Sequence, residues 1–209
     1  MPDLALERAA GGLVAGIDEA GRGPLAGPVV AAAVILDAEG CPAGLLEGLD
    51  DSKKLTRERR AELFAALESA ALESAAQIGI GAASVGEIDR LNVLRATLVA
   101  MARAYFALHA AAHLALVDGP HAPDLPCPTR TVIRGDQRSL SIAAASIVAK
   151  VTRDRVMELL ARRHPGFGWE RNAGYGTAEH RAALERMGPT PHHRKSFAPV
   201  INILSRPQD

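Results

Sequence analysis

The stretch Leu13-Val14-Ala15-Gly16-Ile17-Asp18-Glu19-Ala20-Gly21-Arg22-Gly23-Pro24 decides how the chain folds. Leu13 to Asp18 is a short apolar run ending in carboxylates, the pattern of a β-strand, and Gly21 to Pro24 reads as a tight connection after it. Adjacent strand residues point to opposite faces, so Asp18 and Glu19 share one site only if the strand stops or bends there. The glycines do not form a dinucleotide fingerprint. In Gly21-Arg22-Gly23-Pro24-Leu25-Ala26-Gly27 the third glycine comes one residue late and Pro24 sits inside. They do let the backbone approach a ligand such as a sugar–phosphate closely.

Working outward, Val29 to Leu36 reads as a second, well-buried strand and Gln77 to Ala83 as a third. Between them, Thr56 to Leu72 carries Leu63, Phe64, Leu67 and Ala71 at helical spacing. Ser84 and Glu87 fit a capping box, and Asn92 caps an Ala-rich helix expected to reach about Ala112. Leu114 to Val117 is a strand ending at Asp118-Gly119-Pro120, and Thr131 to Ile133 a brief one ending at Gly135-Asp136. One helix is expected from Ser141 to about Arg163, before Pro165. A glycine-rich loop, Gly166 to Gly176, then holds Trp169 and Tyr175. A helix from Thr177 to Met187 stops at Gly188-Pro189, and a last short helix begins near Ser196. Strands alternating with helices, then helices alone, point to an α/β fold: a central mixed sheet flanked by helices, with a helical C-terminal portion. The expectation is a single domain over residues 1–209, with 164–209 as an integral helical appendage.

Composition narrows the function. The 209 residues are 48% hydrophobic and 23% charged, which excludes disorder. The longest apolar run, Val29 to Leu36, falls far short of the ~20 residues of a membrane span. Residues 1–8 carry Asp3 and Glu7 and lack a signal peptide's pattern, so a cytoplasmic location is expected. Cys41 and Cys127 lack metal spacing and read as free thiols. The 24 basic and 24 acidic residues cancel, yet acids predominate up to Pro120 and bases from His121 onward. Chance gives such a split; so does an acidic pocket beside a basic surface, as a nuclease needs.

Asp18-Glu19, Asp118 and Asp136 all fall at expected strand ends beside glycine, where ligand sites of open α/β sheets form. Singly, each acid is an ordinary turn or cap residue. Brought together, four carboxylates could not all stay ionised without cations, and hard oxygen donors suit Mg²⁺ or Mn²⁺. Lys53, Lys54, Lys150 and Lys195 are the lysines of an arginine-biased chain, suited either to phosphate contact or to a solvated surface. Tyr175, between Gly174 and Gly176, could stack on a sugar or base, or pack on the neighbouring helix. His192-His193 with His180 has poor spacing for zinc.

Seven motifs then occur in order: DEAGRGP (Asp18 to Pro24), DSKKL (Asp51 to Leu55), VDG (Val117 to Gly119), Gly135-Asp136, AAASIVAKVTRD (Ala143 to Asp154), GYGT (Gly174 to Thr177) and HRKSF (His193 to Phe197). Together the chain resembles bacterial ribonuclease HII, of the type 2 ribonuclease H family, over nearly its whole length. The resemblance implies a ribonuclease H-like fold. It also implies endonucleolytic hydrolysis of RNA in RNA–DNA hybrids and incision 5′ of single ribonucleotides in duplex DNA, giving 3′-hydroxyl and 5′-phosphate ends. By motif position, Asp18, Glu19, Asp118 and Asp136 would be catalytic and hold two Mg²⁺ or Mn²⁺ ions. Gly21, Arg22 and Gly23 would read the 2′-hydroxyl, and Tyr175 would stack on the next sugar 3′ of it. Lys53, Lys54, Ser146, Lys150 and Arg194 would contact phosphates.

Two departures are local. Gln137 to Ser141 lacks a Pro-Glu pair, which touches only the loop geometry there. The few residues before the first strand favour type HII over HIII. Ile201 to Asp209 shows no clear clamp-binding peptide and no protein partner is evident; nothing in the sequence demands more than a monomer, which is the expectation. A non-catalytic duplex-binding protein and a Mg²⁺-dependent hydrolase of small phosphate esters are the competing classes.

Overall fold

A computed structural model describes residues 1–205 of the chain. In chain order its elements are α1 (Ala5–Ala10), β1 (Val14–Ala20), β2 (Val29–Leu36), α2 (Ala43–Gly48), α3 (Arg57–Leu72) and β3 (Ala76–Ala83). Then come α4 (Val85–Leu91), α5 (Val93–Phe106), β4 (Leu114–Asp118), β5 (Thr129–Val132), a 3₁₀ turn (Gly135–Gln137) and α6 (Leu140–Arg163). The C-terminal part holds α7 (Trp169–Asn172), α8 (Ala178–Met187) and α9 (Ala198–Leu204).

The five strands form one mixed sheet in the order β3-β2-β1-β4-β5. The first three pair antiparallel, while β4 runs parallel to both β1 and β5. Strand register sets the level of the acids: Ile17 lies opposite Val117, so Asp18 and Asp118 leave neighbouring strands side by side. Asp118 in turn pairs with Val132, four residues before Asp136.

Small residues let the helices sit close to the sheet. α6 is buried through its first ten residues, and Gly16 of β1 lies under its start. A Cβ on Gly16 would come within 2.1 Å of the Ser141 carbonyl carbon, so any side chain there would push α6 off the sheet. Ala32, Val34, α3 and the alanines of α6 make the core on this face. Ala31, Ala33, Ile17 and Val117 make the other core with α5. Met157 and Leu160 of α6 continue into a third cluster around Trp169, Leu184 and Val200, which fastens the C-terminal helices to Leu25 and Ala26.

Several expectations need correction. α5 ends at Phe106 rather than near Ala112, because the chain must turn back to start β4 beside β1; Gln77 accepts from the Ala110 N–H in that turn. β1 does not stop at Asp18 but runs through to Ala20. Ala70, not Ala71, is the buried fourth residue of α3. β5 lies two residues earlier than expected at its start, and Ile133 is exposed. The loop after Gly166 contains the short α7, and α1 and α2 are additions to the expected elements. The capping box on α4 and the Asn92 cap of α5 form as expected. Among the described residues no helix is long and apolar enough to cross a membrane.

Candidate active site

The C-terminal ends of β1 and β4 and the 3₁₀ turn after β5 lie at the same end of the sheet. Asp18 is buried there, and its Oδ1 accepts the next residue's N–H, Glu19, at 2.7 Å. Glu19 follows it in the strand, and both residues line one cleft. Asp118 Oδ1 accepts the Gly135 N–H at 2.6 Å, which ties the end of β4 to the turn carrying Asp136. That turn opens with Arg134 in the left-handed region (φ 53°) and buries Asp136.

These acids disturb one another as a shared site requires. Burial, then the charges of Glu19, Asp118 and Asp136, raise the Asp18 carboxyl well above its usual range. Burial also raises Glu19, although the Arg22 guanidinium 3.4 Å away opposes it. Asp136 is pushed up to about 6 by burial and by the neighbouring Asp51 and Asp118. Lys53 is the cation that answers them. Its exposed Nζ stands 3.9 Å from Asp136 Oδ2, and the field of Asp18, Asp136, Asp51 and Asp118 outweighs its own desolvation and raises its pKa. The donors are hard oxygens carrying more negative charge than Lys53 balances, which fits a divalent cation. They are not a closed cage: among the described residues no group of three or more His, Cys, Asp or Glu side chains is already gathered for an ion. The remaining ligands would have to be water and substrate.

A cleft of about 210 Å³ continues from Asp18 and Glu19 over Gly21, Arg22 and Gly23 to Tyr175. Its far wall is one face of α6, where Ser146, Lys150 and Arg153 follow at helical spacing. Ser146 donates to the Ala143 carbonyl and Lys150 reaches Asp154 at 2.7 Å. Tyr175 is half exposed, so its ring is available for stacking.

Two expected phosphate contacts sit elsewhere. Lys54 pairs with Asp50 at 3.1 Å and does not line the cleft. Arg194 is fully buried, and its guanidinium donates to the carbonyls of Gly21, Arg22 and Gly27; it has no surface to offer a phosphate. Three residues were missed. Arg153 lies on the Ser146–Lys150 stripe, a spacing visible in the sequence. Asp51 sits within the DSKKL motif, accepting from the Lys53 N–H and from Gln137 Nε2. Ser52 also lines the cleft. Of the histidines, His180 and His193 are buried Nε2 to Nε2 at 3.0 Å beside Trp169, whose Nε1 donates to His180. Cys41 and Cys127 are free thiols.

A family model described as Ribonuclease HII matches residues 15–200. The chain belongs to the ribonuclease HII family. It is 64% identical to the Ribonuclease HII of Paramagnetospirillum magneticum over 204 residues, covering 98% of this chain and 99% of that one. Among solved structures it is similar to the ribonuclease H2 of Pyrococcus horikoshii, with 25% identity, a TM-score of 0.74 and coverage of 92% and 97%. It is also similar to the ribonuclease HII solved in a complex with PCNA from Archaeoglobus fulgidus, with 25% identity, a TM-score of 0.70 and coverage of 93% and 98%. The fold is that of ribonuclease H, and the chain is a nuclease of that type, hydrolysing the RNA strand of RNA–DNA hybrids. Of the C-terminal segment Ile201 to Asp209, where no clamp-binding peptide was expected, Arg206 to Asp209 lie outside the described residues.

Proposed function

We propose that this ribonuclease HII, besides cutting hybrids, incises duplex DNA on the 5′ side of a single embedded ribonucleotide, leaving 3′-hydroxyl and 5′-phosphate ends. The observation that carries the reading is a cleft lined by Asp18 and Glu19 that continues to Gly21–Gly23 and Tyr175, with Asp118 and Asp136 near enough to raise the Asp18 pKa. The four carboxylates would hold two Mg²⁺ or Mn²⁺ ions. Bound there, the ions would activate the attacking water and stabilise the leaving 3′ oxygen of an in-line displacement.

The chain's own residues do the rest. Lys53 and Lys150 meet the backbone phosphates beside the acids and position the duplex without reading its sequence. Ser146 Oγ adds a neutral contact from the same helix face. Gly21, Arg22 and Gly23 face the ribose and recognise its 2′-hydroxyl, the group that separates RNA from DNA. Tyr175 stacks on the sugar 3′ of it and checks the junction. The C-terminal helices from residue 164 onward serve as an integral part of one domain, since they carry Tyr175 and bury Arg194. A cytoplasmic monomer fits the free thiols and needs no second copy to complete the cleft.

The test is an end-labelled DNA duplex containing one ribonucleotide, run beside its all-DNA twin, with and without Mg²⁺ or Mn²⁺. One metal-dependent cut 5′ of the ribonucleotide, with the all-DNA duplex intact, is expected. Cutting confined to runs of several ribonucleotides would reject the single-ribonucleotide reading, and cutting in EDTA would reject the metal site.

A further inference from the structure

Two arginines, Arg153 and Arg194, are the largest charged side chains buried in this protein, at 1% and 0% exposure. Burying a charge is costly unless it is paired or fully hydrogen-bonded. Among the described residues neither guanidinium is within ion-pair distance of a carboxylate. Each nitrogen of both guanidiniums instead donates to a main-chain carbonyl. Arg194 donates from Nη1 to Arg22 O (2.8 Å), from Nη2 to Gly21 O (2.5 Å) and Gly27 O (2.9 Å), and from Nε to Gly27 O (3.0 Å). Arg153 donates from Nε to Pro28 O (3.0 Å), from Nη2 to Ala26 O (3.1 Å) and from Nη1 to Ala173 O (2.9 Å). The two forks thus hold six carbonyls drawn from the Gly21–Pro28 loop and from the segment that leads into Tyr175.

The peptides of the Gly21–Pro28 loop are trans, so a carbonyl turned toward the arginines turns the next N–H away from them. With Gly21 O and Arg22 O on Arg194, the N–H groups of Arg22 and Gly23 face the other way, on an exposed stretch lining the cleft. Among the described residues no main-chain hydrogen bond takes either one. Consecutive free N–H groups make a concavity for an oxygen with negative character.

Local packing leaves no slack. Gly21 has φ +99°, and a Cβ on it would lie 1.9 Å from Arg153 Nε. Gly174 has φ +82°, and a Cβ there would meet Ala26 O at 2.6 Å. Leu25 N donates to Gly174 O and Arg194 N to Leu25 O, so the two loops and the HRKSF segment are stitched together. Next in chain, His193 bonds His180, whose Nδ1 meets the Tyr175 carbonyl at 2.9 Å. Burial and the nearby Arg153 charge lower the Arg194 pKa to about 9, against the opposing pull of Asp89.

We propose that Arg153 and Arg194 are positioning residues for ribonucleotide recognition: by holding the carbonyls of the Gly21–Pro28 loop and of Ala173, they aim the Arg22 and Gly23 N–H groups at the 2′-hydroxyl and lock that reader in register with Tyr175. This rests on the proposed reading of the 2′-hydroxyl by this loop. It also explains why an arginine of the HRKSF motif is buried rather than set against phosphate. Lysine cannot reproduce the role, since one ammonium lacks the planar fork that spans several carbonyls.

The experiment measures binding in EDTA, where no cleavage occurs, of two duplexes that differ by one 2′-hydroxyl. The quantity read is the ratio of their dissociation constants, which does not depend on the folded fraction. The wild-type protein is expected to favour the ribonucleotide duplex. In Arg194→Lys that preference should fall about tenfold, the scale of one well-placed hydrogen bond, while affinity for the all-DNA duplex changes less than about threefold. Arg153→Lys should lose the preference in the same direction and serves if Arg194→Lys does not fold. A folded variant that keeps the wild-type ratio overturns the proposal. Unfolding of both variants would also overturn it, in favour of a purely structural role. A wild-type protein with no preference would instead sink the underlying 2′-hydroxyl reading, with or without the arginines.

Discussion

The two ends of the cleft handle buried charge in opposite ways. At the C-terminal strand ends Asp18, Glu19 and Asp136 have raised pKa values, and among the described residues the cations beside them are Arg22 on Glu19 and an exposed lysine 3.9 Å from Asp136. Behind the Tyr175 end, Arg153, Arg194, His180 and His193 are buried and their polar atoms are matched to carbonyls or to each other. The first region is left incomplete in a way a cation and a phosphate can complete; the second is finished within the protein and lends shape to the first. Charge at a functional site and charge in a scaffold are therefore told apart by whether the chain supplies the partner.

If that contrast is right, neutralising the acids should remove activity without harming the fold. Asp18→Asn and Asp136→Asn are expected to lower cleavage by ~10²–10³-fold or more, as for loss of a principal transition-state stabiliser. Their metal-free unfolding midpoints should equal or exceed the wild type's, because like-charge repulsion is relieved. Thermal melts beside single-turnover cleavage check both halves; a lowered midpoint would make the acids structural.

Tyr175→Ala sharpens the contrast on the finished side. Loss of one stacking surface, ~1–3 kcal/mol, predicts roughly tenfold slower incision at single ribonucleotides and a smaller loss on long hybrids. Equal loss on both substrates would remove its junction-reading role. Lys53→Ala should weaken all duplexes alike and reduce the slope of log affinity against log salt by about 1, read from binding at several salt concentrations.

The two regions also titrate with opposite sign. Asp136, raised from 3.8 to about 6, gives the metal-free protein stability that is present at low pH and lost as pH rises through about 6. His193, lowered from 6.5 to about 3, and His180, lowered also, give stability that is present above 6.5 and lost as pH falls. Between pH 4 and 6 these trends oppose each other. Asp136→Asn should unmask the histidine trend, so its denaturation midpoint should fall more steeply than the wild type's as pH drops over that range. The smallest effect belongs to a distant cap: Ser84→Ala should cost about 1 kcal/mol in chemical denaturation and leave cleavage unchanged.

Much of this was legible in the sequence, for physical reasons that can be named. The apolar run of β2 matched its strand residue for residue because nothing polar interrupts it. The Ser84–Glu87 box and the Asn92 cap were readable because capping depends on side chains a few residues apart. The four acids stood out in the sequence because each falls beside an expected strand end and a glycine. The end of α5 was not, because the signal that stops it is the need to pair β4 with β1, not a residue in the helix. α1 and α2, at six residues each, are too short to show a period. Arg194 was misjudged because an arginine in a motif looks the same whether it meets a phosphate or three carbonyls; only burial distinguishes them.

The raised carboxyl pKa values of Asp18, Glu19 and Asp136 make cation binding at this cluster favourable. The most direct measurement is the unfolding midpoint of wild-type protein and Asp136→Asn, each in EDTA and in saturating Mn²⁺. Mn²⁺ is expected to raise the wild-type midpoint by roughly 5 °C or more, as for ligand well above its dissociation constant, while Asp136→Asn gains far less. Equal gains in both proteins, or none in either, would contradict it.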